Sequence, residues 1–239
     1  MGNYCFGVDV GGTTVKCGLF RTDGTLLEKW EIPTRVEDGG KNIIGDIGAA
    51  LLEKMEEKKL NREDLVGIGM GVPGPVDQNG VVPGAVNLHW GRKDLPAELG
   101  GLTGLPVWAG NDANVAALGE QWLGGGRGHA NMVMVTLGTG VGGGIILGGK
   151  VFEGGIGGAE LGHVTLIAGG KLCTCGRKGC IESYCSATAL IAQATEALEK
   201  HPESMMAELV AKEGAMNGKI PFDAAQSGDA VAQAVIDQY

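Results

Sequence analysis

A short pattern occurs twice in this chain of 239 residues. Residues 8–20 and 135–147 each contain an apolar segment, a glycine-rich turn with threonine, and a second apolar segment. An internal repeat of this kind indicates related structural units, and apolar segments on both sides of a glycine turn are typical of β-hairpins. We therefore predict two α/β domains, residues 1–110 and 111–239, with a cleft between them.

The spacing of apolar residues predicts the individual elements. Strands are predicted at residues 4–10, 15–20, 26–32, 65–70, 105–109, 131–137, 145–147 and 150–152, and helices at 40–59, 112–122, 186–200, 203–212 and 223–239. Prolines and glycines make residues 71–77 an irregular segment. The last helical pattern stops without a cap or a glycine. We therefore expect the C-terminal part of the fold to be missing from this chain.

Composition and charge exclude several classes of function. The net charge is −9 and no run of lysine or arginine occurs, so partners such as nucleic acid or an anionic membrane are not expected. No apolar run has the length of a membrane span, and the N-terminus lacks the features of a leader peptide. We expect a cytoplasmic protein with reduced cysteines.

The two glycine turns are candidates for binding phosphate. The first follows Asp9 and comprises Gly11, Gly12, Thr13 and Thr14, and the second comprises Gly138, Thr139 and Gly140. Either turn alone is more typical of an ordinary hairpin. Two turns at equivalent positions, each with threonine, favour a pair of phosphate-binding loops in which backbone N–H groups are the donors. Neither the Walker pattern nor a dinucleotide-binding fingerprint is present.

Three polar residues, Asn111, Asp112 and Asn114, lie where a predicted strand gives way to a helix. Asn and Asp are favoured helix caps, but capping accounts for one of them rather than three. An Asp at the end of a strand is also well placed to accept a proton from a substrate hydroxyl. The sequence leaves the choice between cap and catalytic base open.

Three cysteines lie within eight residues, at Cys173, Cys175 and Cys180, and His163 precedes them by ten residues. Three thiolates and an imidazole match a closed tetrahedral Zn²⁺ site with a structural role. The alternatives are a disulfide or a chance cluster. Glu160 and Glu182 flank these ligands, and two carboxylates there could accept bonds from sugar hydroxyls, although a lone glutamate is more often a solvated surface residue.

These motifs together resemble the ROK family of repressors and kinases, and among its members the glucose kinases. The matching segments are residues 9–13, 71–77, 87–90, 111–114, 119–120, 138–144, 160–163 and 173–182. The resemblance implies a two-domain actin-like ATPase fold, related to ribonuclease H. It also implies that the family pattern continues past residue 239.

The resemblance implies a transfer of phosphate from ATP to a hexose, with glucose preferred. Asp112 would be the general base, and the sugar hydroxyls would be held by Asn111, Asp112, Glu160, His163 and Glu182. The two glycine turns would bind the ATP phosphates, with Mg²⁺ near Asp9. His163 would bind zinc through one ring nitrogen and sugar through the other, and the protein would be a homodimer.

Two alternatives remain open at this point. The first is a kinase for another hexose or an N-acetylhexosamine, because the motifs barely separate these substrates. The second is a sugar-binding repressor of the same family. Such repressors place a helix-turn-helix before the first strand, whereas here the first predicted strand begins at residue 4.

Overall fold

The computed structural model describes residues 2–154 and 160–239. The strands are β1 (Tyr4–Val10), β2 (Thr14–Arg21), β3 (Leu26–Pro33), β4 (Leu65–Val72), β5 (Val81–Val82), β6 (Lys93–Asp94), β7 (Val107–Asn111), β8 (Met132–Leu137), β9 (Val141–Leu147) and β10 (Lys150–Val151). The helices are α1 (Glu37–Gly40), α2 (Ile43–Lys58), α3 (Leu95–Thr103), α4 (Asp112–Leu123), α5 (Glu182–Cys185), α6 (Ala187–Lys200), α7 (Met206–Glu213), α8 (Ile220–Gln226) and α9 (Ala230–Gln238). None of the helices in these described parts combines the length and hydrophobicity that a membrane span requires.

The chain divides into two compact units. The first comprises residues 1–133 with 144–158, and the second comprises residues 134–143 with 159–239. The chain passes from one unit to the other within β8 and again within β9. The predicted domain boundary near residue 110 stays a prediction.

The sheet of the first unit has the strand order β3-β2-β1-β4-β7. Strands β1 to β3 form the predicted antiparallel meander, and β4 and β7 continue the sheet in parallel with β1. Parallel neighbours need long crossover connections, which here contain α2 and α3. Because β1, β4 and β7 run in the same direction, their carboxyl ends meet at one edge of the sheet, where ligands bind in open α/β folds.

Helix α2 packs on this sheet through a single face. Ile43, Ile47, Leu51 and Met55 recur every four residues and are all buried, which is the spacing that places side chains on one side of a helix. The apolar spacing of the sequence therefore predicted this helix correctly, with its start three residues later than expected.

The second unit has a separate apolar core, formed by α6 to α9. A single helix was predicted at residues 223–239, and that prediction is wrong, because α8 ends at Gln226 and α9 begins at Ala230. Gly228 has a φ of 92°, which favours glycine and ends a helix. Asp229 then caps α9 by accepting hydrogen bonds from the N–H groups of Val231 and Ala232, at 2.8 and 2.9 Å.

Other predicted boundaries also need correction, and α7 begins three residues later than its predicted start at residue 203. Strand β7 begins two residues later than predicted, and β4 continues through Val72 into the segment predicted to be irregular. Strand β9 begins at Val141, so the glycines at 142–144 belong to a strand rather than to a turn. Close packing explains two of these glycines: a Cβ at Gly143 would lie 2.4 Å from Leu161 Cδ1, and one at Gly144 would lie 2.4 Å from Ala117 Cβ.

We expect Leu51→Ala to lower the free energy of unfolding of the first unit by about 2–5 kcal/mol, because it leaves a cavity beneath α2. Leu52→Ala is the matched control, since Leu51 is fully buried and its neighbour is 39% exposed, and it should cost less than about 1 kcal/mol. Urea unfolding followed by tryptophan fluorescence measures both, because all four tryptophans lie in the first unit. Equal losses in the two variants would contradict the packing described here.

Candidate functional site

Two carboxylates lie together at the carboxyl edge of the first sheet. Asp9 is near the end of β1, and Asp112 directly follows β7. Gly71 of β4 lies between them: a Cβ at this position would be 3.5 Å from Asp112 Cα and 3.9 Å from Asp9 Oδ1. The parallel pairing of Asp9 with Gly71 and of Gly71 with Gly110 fixes this arrangement.

The helix that follows β7 is capped by Asn111. Its Oδ1 accepts a hydrogen bond from the Asn114 N–H at 3.2 Å, and its Nδ2 donates to the Gly74 carbonyl oxygen at 3.1 Å. Asp112 is the first residue of α4, and its carboxylate accepts from the Ala113 N–H at 2.8 Å. Capping therefore explains Asn111 and does not require Asp112.

The surroundings of Asp112 disfavour its charged form. Partial burial of the carboxyl group, followed by the negative charge of Asp9, raises the pKa of Asp112 above its ordinary value, although the hydrogen bond from Ala113 acts in the opposite direction. Taken as a whole, the residue nevertheless remains exposed to solvent. A strand-end carboxylate with a raised pKa is a stronger proton acceptor than an ordinary surface aspartate.

The two glycine turns have the same pattern of backbone hydrogen bonding: the first N–H group of each turn donates within the turn, and the next two do not. In the first, the Gly11 N–H donates to the Thr14 carbonyl oxygen at 3.0 Å. In the second, the Gly138 N–H donates to the Gly140 carbonyl oxygen at 2.9 Å. Within the described ranges, 2–154 and 160–239, the next two N–H groups of each turn (those of residues 12 and 13, and of 139 and 140) donate no hydrogen bond. Each turn thus presents two free donors, the arrangement that binds an anion.

The structure brings the four predicted metal ligands together. One ligand atom each from His163, Cys173, Cys175 and Cys180 lies within 4.8 Å of the other three. The Cys175 and Cys180 Sγ atoms are 3.7 Å apart, and Cys173 Sγ is 3.6 Å from His163 Nδ1. In a tetrahedral zinc site with bonds of 2.0–2.3 Å, ligand atoms are separated by about 3.5–3.8 Å. The 3.7 Å between the Cys175 and Cys180 sulfur atoms is far longer than an S–S bond of about 2.05 Å and fits two ligands of one metal ion.

Glycines at two sharp turns let the chain wrap around this cluster. Gly176 and Gly179 have φ values of 85° and 86°, which strain any residue with a side chain. A Cβ at Gly179 would also lie 1.7 Å from the Ile167 carbonyl oxygen. The Cys173 N–H donates to the Arg177 carbonyl oxygen at 2.8 Å and closes the tight turn that carries two of the ligands.

Both predicted glutamates lie in the second unit, but their surroundings differ. Glu160 is exposed and immediately precedes the turn that carries His163. Glu182 Oε2 accepts a hydrogen bond from the Val141 N–H at 3.1 Å, and its Oε1 accepts one from the Thr174 hydroxyl at 3.2 Å. Sequence reasoning did not single out Thr174, whose only signal is its position between two cysteine ligands.

Gly140 allows the Glu182 carboxylate to approach the second glycine turn. A Cβ at Gly140 would lie 2.5 Å from Glu182 Oε2, so any side chain at this position would displace the carboxylate. The turn is also anchored at the start of α6, where the Ala187 N–H donates to the Gly138 carbonyl oxygen at 2.8 Å and the Thr188 hydroxyl donates to the Thr139 carbonyl oxygen at 2.8 Å.

Comparison with known proteins matches residues 5–239 to the ROK family. The glucokinase of Halalkalibacterium halodurans is 45% identical over 97% of this chain and 71% of its own length. The chain belongs to the ROK family. The predicted resemblance is thereby confirmed, and the chain spans about 71% of the length of that relative.

Two solved structures of family members have closely similar folds. A ROK family glucokinase from Streptomyces griseus, in complex with glucose and AMPPNP, has a TM-score of 0.79 at 36% identity, covering 98% of this chain and 75% of that one. A ROK family transcriptional regulator, a homologue of the E. coli MLC protein, has a TM-score of 0.83 at 27% identity, covering 98% of this chain and 59% of that one. The predicted α/β, actin-like ATPase fold is confirmed. Kinases and regulators share this fold, so function has to be argued from the site residues.

We expect Asp112→Asn to raise the stability of the first unit at pH 7. The folded-state pKa of Asp112 lies above the reference value of 3.8, so its ionisation destabilises the folded protein, and at pH 7 this penalty is fully present. As the pH falls through the raised pKa, the wild-type carboxyl group takes up a proton and the penalty disappears. Urea unfolding at pH 7 and at pH 3.5 measures the difference.

Glu53→Gln, which removes one carboxylate charge from the exposed face of α2, controls for net charge. A gain in stability that is equal for both variants, or one for Asp112→Asn that grows towards pH 3.5, would contradict the assignment of a raised pKa.

Proposed function

We propose that this chain is an ATP-dependent hexose kinase that converts glucose to glucose 6-phosphate. The observation that carries the proposal is the environment of the Asp112 carboxylate. This group lies beside Asp9, its pKa is raised, and the helix is capped by Asn111 instead. Similarity to the Halalkalibacterium halodurans glucokinase supports glucose as the sugar, and similarity to the Streptomyces griseus glucokinase in complex with glucose and AMPPNP supports ATP as the donor.

In this proposal Asp112 accepts the proton of the sugar 6-hydroxyl as that oxygen attacks the γ-phosphate. A carboxyl group whose charge is disfavoured gains more from taking up the proton than an ordinary aspartate does. Asn111, Glu160, His163 and Glu182 hold the other sugar hydroxyls. For Glu182 the available acceptor positions are the remaining lone pairs, since Oε2 already accepts a hydrogen bond from the Val141 N–H and Oε1 accepts from the Thr174 hydroxyl and the Cys173 thiol.

The nucleotide phosphates are proposed to bind the free N–H groups of the two glycine turns, with hydroxyl groups of Thr13, Thr14 and Thr139 as further donors. Asp9 would hold the Mg²⁺ ion of the nucleotide, because a carboxylate oxygen is a hard ligand that suits this cation. Bound Mg²⁺ neutralises phosphate charge, and the chain's own contribution is to position the reacting groups.

The Cys and His cluster is proposed to hold a structural Zn²⁺ ion through Cys173, Cys175, Cys180 and His163 Nδ1. Its separations of 3.6 and 3.7 Å match a tetrahedral site. Ligation through Nδ1 leaves His163 Nε2 to bond a sugar hydroxyl, so the ion would orient a sugar ligand rather than take part in the chemistry.

A sugar-binding regulator is the second candidate function, and the observation that favours it is the fold shared with the transcriptional regulator. Asp112 separates the two candidates, because binding alone does not need a proton acceptor. The other expectations, a homodimer and a cytoplasmic location, remain predictions, as does the choice of glucose over related hexoses.

We expect the chain to transfer phosphate from Mg-ATP to glucose. The assay compares the rate with glucose to the rates with mannose, fructose, N-acetylglucosamine and N-acetylmannosamine. Asp112→Asn should lower turnover by at least about 100-fold, because it removes the general base, while the glucose dissociation constant changes less than about threefold. Coupled product assays and calorimetry measure the two quantities, with Glu53→Gln as the charge control. Unchanged turnover in Asp112→Asn would show that Asp112 is not the general base. Sugar binding without any turnover in the wild type would favour the second candidate function, a sugar-binding regulator.

We also expect about one Zn²⁺ ion per chain, a stoichiometry that Cys180→Ser lowers and Cys185→Ser leaves unchanged. Both thiols are free, but Cys185 lies outside the cluster. Thiolates bind Zn²⁺ far more strongly than hydroxyl groups do. Metal content can be measured by atomic absorption after dialysis. Replacement of the metal by Co²⁺ provides a spectroscopic check, because thiolate ligands give a charge-transfer absorption band with this ion. Full zinc content in Cys180→Ser would contradict the proposed ligand set.

A further inference from the structure

Glu182 connects the cysteine loop (residues 164–181, which precede α5) to the second glycine turn. Its Oε2 accepts from the Val141 N–H at 3.1 Å and its Oε1 accepts from the Thr174 hydroxyl at 3.2 Å. A carboxylate held by donors on both of its oxygens has a fixed orientation, and the lone pairs left over point in defined directions.

Two side chains of unequal donor strength reach Glu182 Oε1. Within residues 2–154 and 160–239, the side chains that donate to this oxygen are the Cys173 thiol, at 3.8 Å, and the Thr174 hydroxyl. A thiol is a weaker hydrogen-bond donor than a hydroxyl group. The Thr174 hydroxyl, at 3.2 Å, is therefore the stronger of the two side-chain donors that hold this oxygen of the carboxylate.

We propose that Thr174 is a positioning residue, which orients the Glu182 carboxylate to receive a sugar hydroxyl. The inference rests on the proposed role of Glu182 in sugar binding. Thr174 itself is exposed and is not one of the four metal ligands, so its hydroxyl can be removed without opening a cavity or removing a ligand.

The test compares two substitutions of Thr174. Thr174→Val keeps the shape of the side chain and removes the hydroxyl, whereas Thr174→Ser keeps the hydroxyl. Thr165→Val is the matched control, because Thr165 is an exposed threonine of the same loop whose hydroxyl bonds Arg177 rather than Glu182. Glucose affinity by calorimetry, zinc content, and the KM and kcat for glucose and ATP are measured for each protein.

We expect Thr174→Val to weaken glucose binding and raise the glucose KM by about 3- to 10-fold, the effect of losing one partly exposed hydrogen bond to a charged group. The kcat, the KM for ATP and the zinc content should stay within about twofold of wild type. Thr174→Ser should restore glucose affinity, and Thr165→Val should not change it. In a Glu182→Gln background, Thr174→Val should have a much smaller effect, because the two residues act as a unit.

Unchanged glucose affinity in Thr174→Val would overturn the proposal, and so would a parallel loss of zinc and sugar binding, which would show a purely structural role. If the wild-type chain binds no sugar of the panel, the proposed function fails, and the inference drawn from it fails with it. A wild type that binds glucose, with Thr174→Val binding equally well, refutes the positioning role alone.

Discussion

The parallel alignment of β1, β4 and β7 is the constraint on which the candidate site depends. Because these strands end at one edge of the sheet, Asp9 and Asp112 approach each other although about a hundred positions separate them in the chain. Gly71, on the strand between them, adds no side chain to the space between the two residues. Burial of α2 and α3 against the sheet stabilises the pairing, so the geometry of the two carboxylates follows from the packing of the first core.

The second unit uses a different device to position polar groups. Its cysteine loop has little regular secondary structure, and backbone hydrogen bonds together with glycines at positive φ bring the four ligand atoms together. Glu182 then joins this loop to the glycine turn that begins β9. Loops of this kind depend on cross-links more than on apolar burial, and a metal ion is the cross-link that three thiols and an imidazole are suited to bind.

Much of the fold was predictable from the sequence, and so was the metal cluster. The apolar spacing of α2 and the meander of β1 to β3 follow from local patterns that packing does not override. The glycines of β9 misled the prediction, because their reason lies in distant contacts with Leu161 and Ala117. The break between α8 and α9 was signalled locally by Gly228 and Asp229 but was outweighed by the helical pattern around it. Thr174 was missed because only the folded loop shows that its hydroxyl reaches Glu182.

Capping of α4 and the proposed catalytic role fall on two different residues, Asn111 and Asp112, and this separation has an evolutionary consequence. Since Asn111 is the cap residue of α4, helix capping and the proposed proton transfer depend on neighbouring but separate residues. On the proposed assignment, a lineage could lose the base at position 112 while the helix, the sheet edge and the proposed sugar ligands of the second unit persist. Such a chain would keep the proposed sugar site without the proposed chemistry and could acquire a partner that responds to sugar binding. A family that contains both glucokinases and transcriptional regulators is the outcome that this arrangement makes easy to reach.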